Sequence, residues 1–220
     1  MLDEATRIRK ELAVATVVRP WRFDAEDFVQ LRSEGILPPD ARIELVDGQV
    51  YEMSPIGHAH AGIVALLTRH ATLALGGAVL VWPQNPVRMS DDTVLQPDIA
   101  LLRPPIEAYR DRPVRPEDVL LVIEVADSSL AYDRQIKGPR YAAAGIPEYW
   151  LVAVGDTRIE VYREPTAQGY RASEVLGPGT TINPVALPEL SVDVAEILGA
   201  PRGADEGDRE ADGGEDGGEG

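Results

Sequence analysis

Residues 119–125, which read VLLVIEV, form the most hydrophobic run of the chain and decide its fold class. An almost unbroken apolar run of this length is typical of a central strand that is covered on both faces. Glu124 interrupts the run. Because a carboxylate inside an apolar strand is costly unless it is paired or binds a metal, Glu124 is a candidate functional residue.

A second acid lies inside another apolar segment. Residues 94–102 are predicted to form a strand, and they contain the sequence Gln96-Pro97-Asp98-Ile99-Ala100. Taken alone, Asp98 or Glu124 could be a strand-end carboxylate in solvent or the partner of an arginine. Two such acids on strands that we expect to be neighbours favour a carboxylate site.

Periodicity and turn residues around these strands predict an α/β fold. We expect a mixed central β-sheet flanked by helices, preceded by an N-terminal helix and a β-hairpin. The Asp47-Gly48 pair marks the hairpin turn. The predicted helices cover residues 24–35, 57–75, 132–144 and 192–198, the hairpin 42–53, and the strands 78–87, 94–102, 119–125, 149–154, 159–163 and 170–175.

The length of 220 residues fits one domain with tails. We expect an N-terminal arm over residues 1–20, a domain over 21–199, and a disordered, acidic, glycine-rich tail over 200–220. Residues 201–220 hold eight acids and two arginines, and so carry −6 of the net charge of −16. The acidic remainder does not attract DNA by its overall field, so any affinity for DNA is expected to be low.

Composition excludes some classes of site, and the absence of a signal-like segment sets the expected compartment. The chain has no cysteine, which excludes disulfides and thiolate metal sites. It also has no apolar run of membrane-spanning length and no apolar stretch typical of a secretory signal near Met1. We therefore expect a cytoplasmic protein without a membrane span.

Lysine is rare in this chain, which makes Lys137 conspicuous. There are 19 arginines but only two lysines, Lys10 and Lys137. A lysine is a compact ammonium that can lose its proton, unlike arginine, and it can orient or activate a water molecule. A solvated lysine on a helix surface is the alternative.

Two carboxylates and one lysine suit phosphodiester hydrolysis. Mg²⁺, or Mn²⁺ in its place, binds one or two carboxylates and keeps several waters. The bound metal makes hydroxide available near neutral pH and stabilises charge on the phosphate, while a nearby ammonium offsets developing charge.

The order of these motifs along the chain resembles that in the PD-(D/E)XK nuclease superfamily, and more narrowly that in the bacterial Uma-two family of restriction endonucleases. The similarity covers about residues 20–195. The matching segments are Glu44-Leu45-Val46-Asp47-Gly48, Met53-Ser54-Pro55, Gln96-Pro97-Asp98, Lys137-Gly138-Pro139-Arg140-Tyr141 and Gly145-Ile146-Pro147-Glu148-Tyr149-Trp150.

The resemblance implies a restriction-endonuclease-like core that binds magnesium at Asp98 and Glu124, with Lys137 as catalytic lysine. Glu44 matches an early glutamate that often joins the metal site, although it could equally be a polar residue of a hairpin strand. The superfamily often places its lysine two residues after the glutamate, where this chain has Ala126. The lysine of this family has moved to the following helix. Gly138 and Pro139 come directly after it, and they predict that this helix either kinks or only begins there.

Three further residues are candidates for facing the substrate. His58 and His60 lie between Pro55 and the point near Gly62 where the helix is expected to start, and across the helix N-terminus they could face the site or a substrate phosphate. Tyr141 lies four residues after Lys137 and shares its helical face. Solvated loop histidines and a core tyrosine are the alternatives.

The favoured function is a magnesium-dependent endonuclease that acts on DNA, expected as a homodimer because nucleases of this kind are often dimers. The alternative is a catalytically silent binding or assembly subunit with the same fold, which the acidic charge would suit. A glycosidase would also use paired carboxylates, but it does not explain Lys137, and aromatic residues make up only 5% of the chain.

Deletion of residues 201–220 is expected to leave folding intact, because this segment offers no apolar side chain larger than alanine for a core. Thermal unfolding of the full chain and the truncated chain should give the same melting temperature. A lower melting temperature of the truncated chain would show that the tail packs on the domain.

Overall fold

The computed structural model describes residues 19–38 and 40–199. The predictions of a disordered tail, and of an arm over nearly all of residues 1–20, therefore lie outside the described residues. The helices are α1 (Ala25–Ser33), α2 (His58–Leu75), α3 (Leu130–Tyr132), α4 (Gly138–Ala143) and α5 (Val194–Leu198), with a π-helical turn at Asp133–Lys137 between α3 and α4. The strands are β1 (Ile43–Val46), β2 (Gln49–Glu52), β3 (Leu80–Pro83), β4 (Val87–Arg88), β5 (Val94–Leu95), β6 (Ile99–Leu102), β7 (Val119–Ala126), β8 (Glu148–Ala153), β9 (Arg158–Thr166), β10 (Gly169–Leu176), β11 (Thr181–Ile182) and β12 (Val192–Asp193).

A six-stranded mixed sheet forms the centre of the fold. Its strand order is β10-β9-β8-β7-β6-β3, in which β7 and β8 run parallel and the other neighbouring pairs run antiparallel. The apolar run that begins at Val119 is the inner strand β7, buried along its whole length. The predicted α/β fold with a mixed central sheet is confirmed.

Helices cover both faces of β7. Leu121, Ile123 and Val125 pack in the cluster that contains α2 and α5, whereas Val122 and Ala126 pack in a second cluster with Tyr141 of α4. This alternation follows from the two-residue period of a strand. Glu124 has the same parity as Val122 and Ala126, and so it points toward the side of the sheet that α4 covers.

The local signals at the N-terminal helix and the hairpin are also confirmed. Asp24 caps α1, with a reciprocal pair of hydrogen bonds to Asp27. Asp47 and Gly48 have φ angles of 49° and 76°, the left-handed conformation that the hairpin turn requires. A Cβ at position 48 would also lie 2.6 Å from the Cβ of Arg22, so this glycine permits a close approach of the chain.

The strands predicted over 78–87 and 94–102 are each divided in two. β3 and β6 belong to the six-stranded sheet. β5 pairs with β1 of the hairpin and β4 pairs with β5, which gives a smaller sheet of order β2-β1-β5-β4. Pro86 and Pro97 lack the N–H that a continuous ladder needs, and Gln84 adopts a φ of 51°. The division directs the chain from one sheet to the other just before Asp98.

Among residues 19–38 and 40–199, no helix is both long and apolar enough to cross a membrane.

An ion pair fastens the π-helical turn to β9. The Arg134 guanidinium donates to both carboxylate oxygens of Glu160, at 2.9 and 2.5 Å, and Tyr162 donates at 2.6 Å. Burial would raise the pKa of Glu160, but the hydrogen bonds from Arg134 and Tyr162 lower it below its ordinary value of 4.5. This contribution to stability is therefore complete above pH 4.5 and is lost as the pH falls through the lowered pKa.

Replacement Glu160→Gln is expected to reduce the free energy of unfolding at pH 7 by about 1 to 2 kcal/mol, because charge-assisted hydrogen bonds are lost. Urea unfolding at pH 7 and pH 4 measures the difference, which should shrink at pH 4. Glu174→Gln on β10 is the control, since the Glu174 side chain is exposed and approaches Arg163 only at 3.9 Å. An equal loss in both variants, or no pH dependence, would contradict this interpretation.

Candidate active site

A cleft of about 560 Å³ lies at the carboxyl end of β7, where the two larger sheets meet α2 and the π-helical turn. Its walls come from β2 and the loop that follows it, from α2, and from the segment between β7 and α4. Four of the predicted site residues line it: His60, Asp98, Glu124 and Lys137.

Asp98 immediately precedes β6, and the next residue, Ile99, pairs with Ile123 of β7. Its Oδ2 accepts hydrogen bonds from His60 Nε2 and from the backbone N–H of Val125, both at 2.9 Å. Burial would raise the pKa of Asp98, but the contacts with His60 and the Val125 N–H hold it below 3.8. Asp98 is therefore an ionised carboxylate.

Glu124 lies beside Asp98 on the neighbouring strand. Its Oε1 accepts hydrogen bonds from Lys137 Nζ at 2.7 Å and from the Tyr141 hydroxyl at 2.5 Å. Its Oε2 accepts from the backbone N–H of Asp98 at 3.3 Å. Burial raises the pKa of Glu124 well above 4.5, and the charges of Asp133, Asp98 and Glu44 raise it further while Lys137 opposes them.

Lys137 is 2% exposed and is surrounded by acids. Its Nζ lies 2.7 Å from Glu124, 2.9 Å from Glu44 and 3.9 Å from Asp133. Burial alone would lower the pKa of Lys137, but the carboxylates of Glu124, Glu44 and Asp133 raise it well above 10.5. Lys137 is therefore an ammonium in this cluster, which favours charge stabilisation over proton loss.

Lys137 is the last residue of the π-helical turn, which places its side chain in the site. The predicted kink near Gly138 and Pro139 takes the form of this wider turn, in which the N–H of Gly138 bonds to the carbonyl of Asp133. Pro139 lacks an N–H, and its ring would clash with the carbonyl four residues earlier in a regular α-helix. The extra residue that a π-turn accommodates relieves this clash, and such turns are frequent at functional sites.

Glu44 joins the cluster from β1 of the smaller sheet. Its Oε1 accepts from the backbone N–H of Gln96 at 2.8 Å in addition to its contact with Lys137. Its Oε2 accepts from the Tyr132 hydroxyl at 3.4 Å. Glu44 thus links the smaller sheet to the π-helical turn through Lys137.

The three candidates for facing the substrate lie in different places. His60 is buried and contacts Asp98. His58 is exposed at the first residue of α2 and does not line the cleft. Tyr141 has no exposed surface, and it lies behind Glu124 rather than facing the cleft.

Sequence reasoning missed Asp133 and Arg42. Asp133 is buried, lines the cleft and accepts a hydrogen bond of 2.5 Å from Ser129. Its position four residues before Lys137 was an available signal, since residues with this spacing share a helical face. Arg42 approaches Asp98 Oδ1 at 3.4 Å across the cleft, and one arginine among 19 gave no signal in the sequence.

The donor atoms of the cleft fit a divalent cation with few protein ligands. No group of three His, Cys, Asp or Glu side chains within residues 19–38 and 40–199 is arranged to hold a metal. One carboxylate oxygen of each of two acids makes only a single long hydrogen bond within the protein. These oxygens are Asp98 Oδ1 and Glu124 Oε2. Two such oxygens suit Mg²⁺, which usually takes one or two carboxylates and retains waters.

The charges of the cluster also favour a bound cation. Glu44, Asp98, Glu124 and Asp133 are all buried, and Lys137 is the buried ammonium among them. Burial raises the pKa of Glu124 and that of Asp133, so an additional positive charge would favour the ionised forms of these two acids.

The fold is similar to that of a solved structure from Anabaena variabilis, described as "a putative nuclease belonging to DUF820". The TM-score is 0.62 with 15% sequence identity, and the similarity covers 80% of this chain and 97% of the other. At this identity the likeness concerns the fold alone. None of the curated proteins matches this sequence.

The sequence profile of the Uma2 family, described as "Putative restriction endonuclease", matches residues 25–195. This range holds both larger sheets and all the acids of the cleft. The chain therefore belongs to the Uma2 family.

Proposed function

We propose that this protein is an endonuclease that hydrolyses phosphodiester bonds of DNA with Mg²⁺ or Mn²⁺. The observation that supports the proposal most strongly is the convergence of Asp98, Glu124 and Lys137 in one cleft. The family description and that of the Anabaena variabilis protein agree with a nuclease.

In this proposal Asp98 and Glu124 would hold the cation, and Asp98 Oδ1 and Glu124 Oε2 are the oxygens left with a single long contact each. The other oxygen of each carboxylate accepts two hydrogen bonds from the protein, which fix its orientation before any ligand arrives. When bound, the cation would lower the pKa of a coordinated water and stabilise negative charge on the phosphate.

Lys137 acts as a fixed positive charge. Its ammonium is a hydrogen-bond donor without a lone pair, so it does not accept a proton from the attacking water. It neutralises Glu124 and Glu44 before the reaction and offers charge stabilisation as negative charge builds on the phosphate.

The acids of the cleft oppose an incoming phosphate. Glu52, Asp98, Glu124, Asp127 and Asp133 line it, against the cationic side chains of Arg42 and Lys137. A bound divalent cation would offset part of this repulsion, and the affinity for DNA would remain low. A homodimer, which we also propose, would supply a second cleft for the second strand.

Replacements Asp98→Ala and Lys137→Ala are expected to reduce nicking of supercoiled DNA by at least about a hundredfold, because each removes a preorganised charge. The assay uses Mg²⁺ and Mn²⁺ in turn, with a chelator as the blank. Asp111→Asn is the matched control, since Asp111 is exposed and lies in the connection that precedes β7. Its rate should equal that of the wild type.

Unchanged nicking by both alanine variants would contradict the assignment of the site. Wild-type protein that binds DNA without cutting it in either metal would instead support the silent binding subunit. Melting temperatures of all variants must be measured beside the assay, so that a loss of folding is not taken for a loss of chemistry.

A further inference from the structure

His60 differs from the other histidines of the chain. All three lie on α2. His58 is exposed, and His70 faces Glu196 at 3.2 Å, away from the acid cluster. His60 alone reaches the cleft, where Nε2 lies 2.9 Å from Asp98 Oδ2.

Helix packing fixes the position of the imidazole. Ile63, Val64 and Leu67 of α2 are buried in the cluster that contains the odd-numbered residues of β7. His60 stands one turn before them, in the first turn of the helix. Because α2 is anchored by this packing, the His60 ring is held against Asp98 rather than being free to rotate into solvent.

The chemistry of the contact fixes the direction of the hydrogen bond. An ionised carboxylate only accepts, so His60 Nε2 carries the proton and donates to Asp98 Oδ2. The other ring nitrogen, Nδ1, is buried and has no hydrogen-bond partner among the described residues. Packing alone does not require a histidine, because an apolar side chain would fill the space without an unpaired nitrogen. The hydrogen bond to Asp98 therefore explains the histidine at position 60.

We propose that His60 is a positioning residue for the cation site: its Nε2–H and the Val125 N–H together hold Asp98 Oδ2 inside the protein and leave Oδ1 for the metal. His60 acts through Asp98 and touches neither cation nor phosphate. The inference rests on the proposed function, because it assigns Asp98 as a metal ligand. Hydrogen-bonded partners of metal ligands typically change metal affinity ten- to a hundredfold when removed.

The test is calorimetric titration of the full chain with Mn²⁺, with variants His60→Leu and His60→Gln. Leucine fills similar space without a donor, and glutamine carries an N–H donor at a similar reach. His60→Leu should weaken Mn²⁺ binding by about ten- to a hundredfold, and His60→Gln should restore most of the affinity. His70→Ala, a partly buried histidine of the same helix, is the control and should bind Mn²⁺ as the wild type does.

Melting temperatures measured in the presence of a chelator show whether a variant is still folded, so that a loss of folding is not taken for a loss of the positioning of Asp98. If His60→Leu does not fold, His60→Asn replaces it, because its shorter side chain keeps polarity but loses reach. Wild-type affinity in the variant without the donor overturns the inference. So does a His60→Gln variant that is stably folded yet binds as weakly as the variant without the donor. A wild-type protein that binds no Mn²⁺ instead overturns the proposed function, before any variant is compared.

Discussion

The surrounding strands and helices have to accommodate a cluster of buried carboxylates around Lys137. Four acids lie within the protein beside one buried ammonium, and such a cluster is costly unless its charges are compensated. The short contacts of Lys137 with Glu124 and Glu44 supply part of the compensation. Burial raises the pKa values of Glu124 and Asp133, and both acids line the cleft, where a cation would favour their ionised forms. The electrostatic cost of the cluster and its proposed chemistry therefore have one origin.

The fold holds the cluster together by bringing four separate structures to one point. Asp98 immediately precedes β6 and Glu124 lies on β7 of the large sheet, and Glu44 lies on β1 of the smaller sheet. The π-helical turn brings Lys137 over the large sheet, and α2 brings His60. Divided strands are essential to this arrangement, because the chain must leave one sheet and enter the other beside Asp98.

The sequence predicted Asp98 and Glu124 because a charge in an apolar strand is an exception to a strong pattern, whereas Glu44 was predicted from the family resemblance. Lys137 was predicted from its rarity among arginines, and α1 and the hairpin from their capping and turn residues. The division of the predicted strands was missed, since apolar residues continue across the break and only the prolines mark it. Arg42 was missed because its importance comes from tertiary proximity, which residue spacing does not encode. Asp133 was missed although its spacing from Lys137 was a signal that the sequence offered.

A crystal structure of the protein soaked in Mn²⁺ would show whether Asp98 and Glu124 bind a divalent cation. Anomalous scattering locates the metal independently of activity, and a carboxylate ligand lies about 2.1 Å from an ion of this kind. We expect one strong peak at that distance from both Asp98 Oδ1 and Glu124 Oε2. A cleft without a peak at saturating Mn²⁺, or a peak bound away from these two carboxylates, would contradict it.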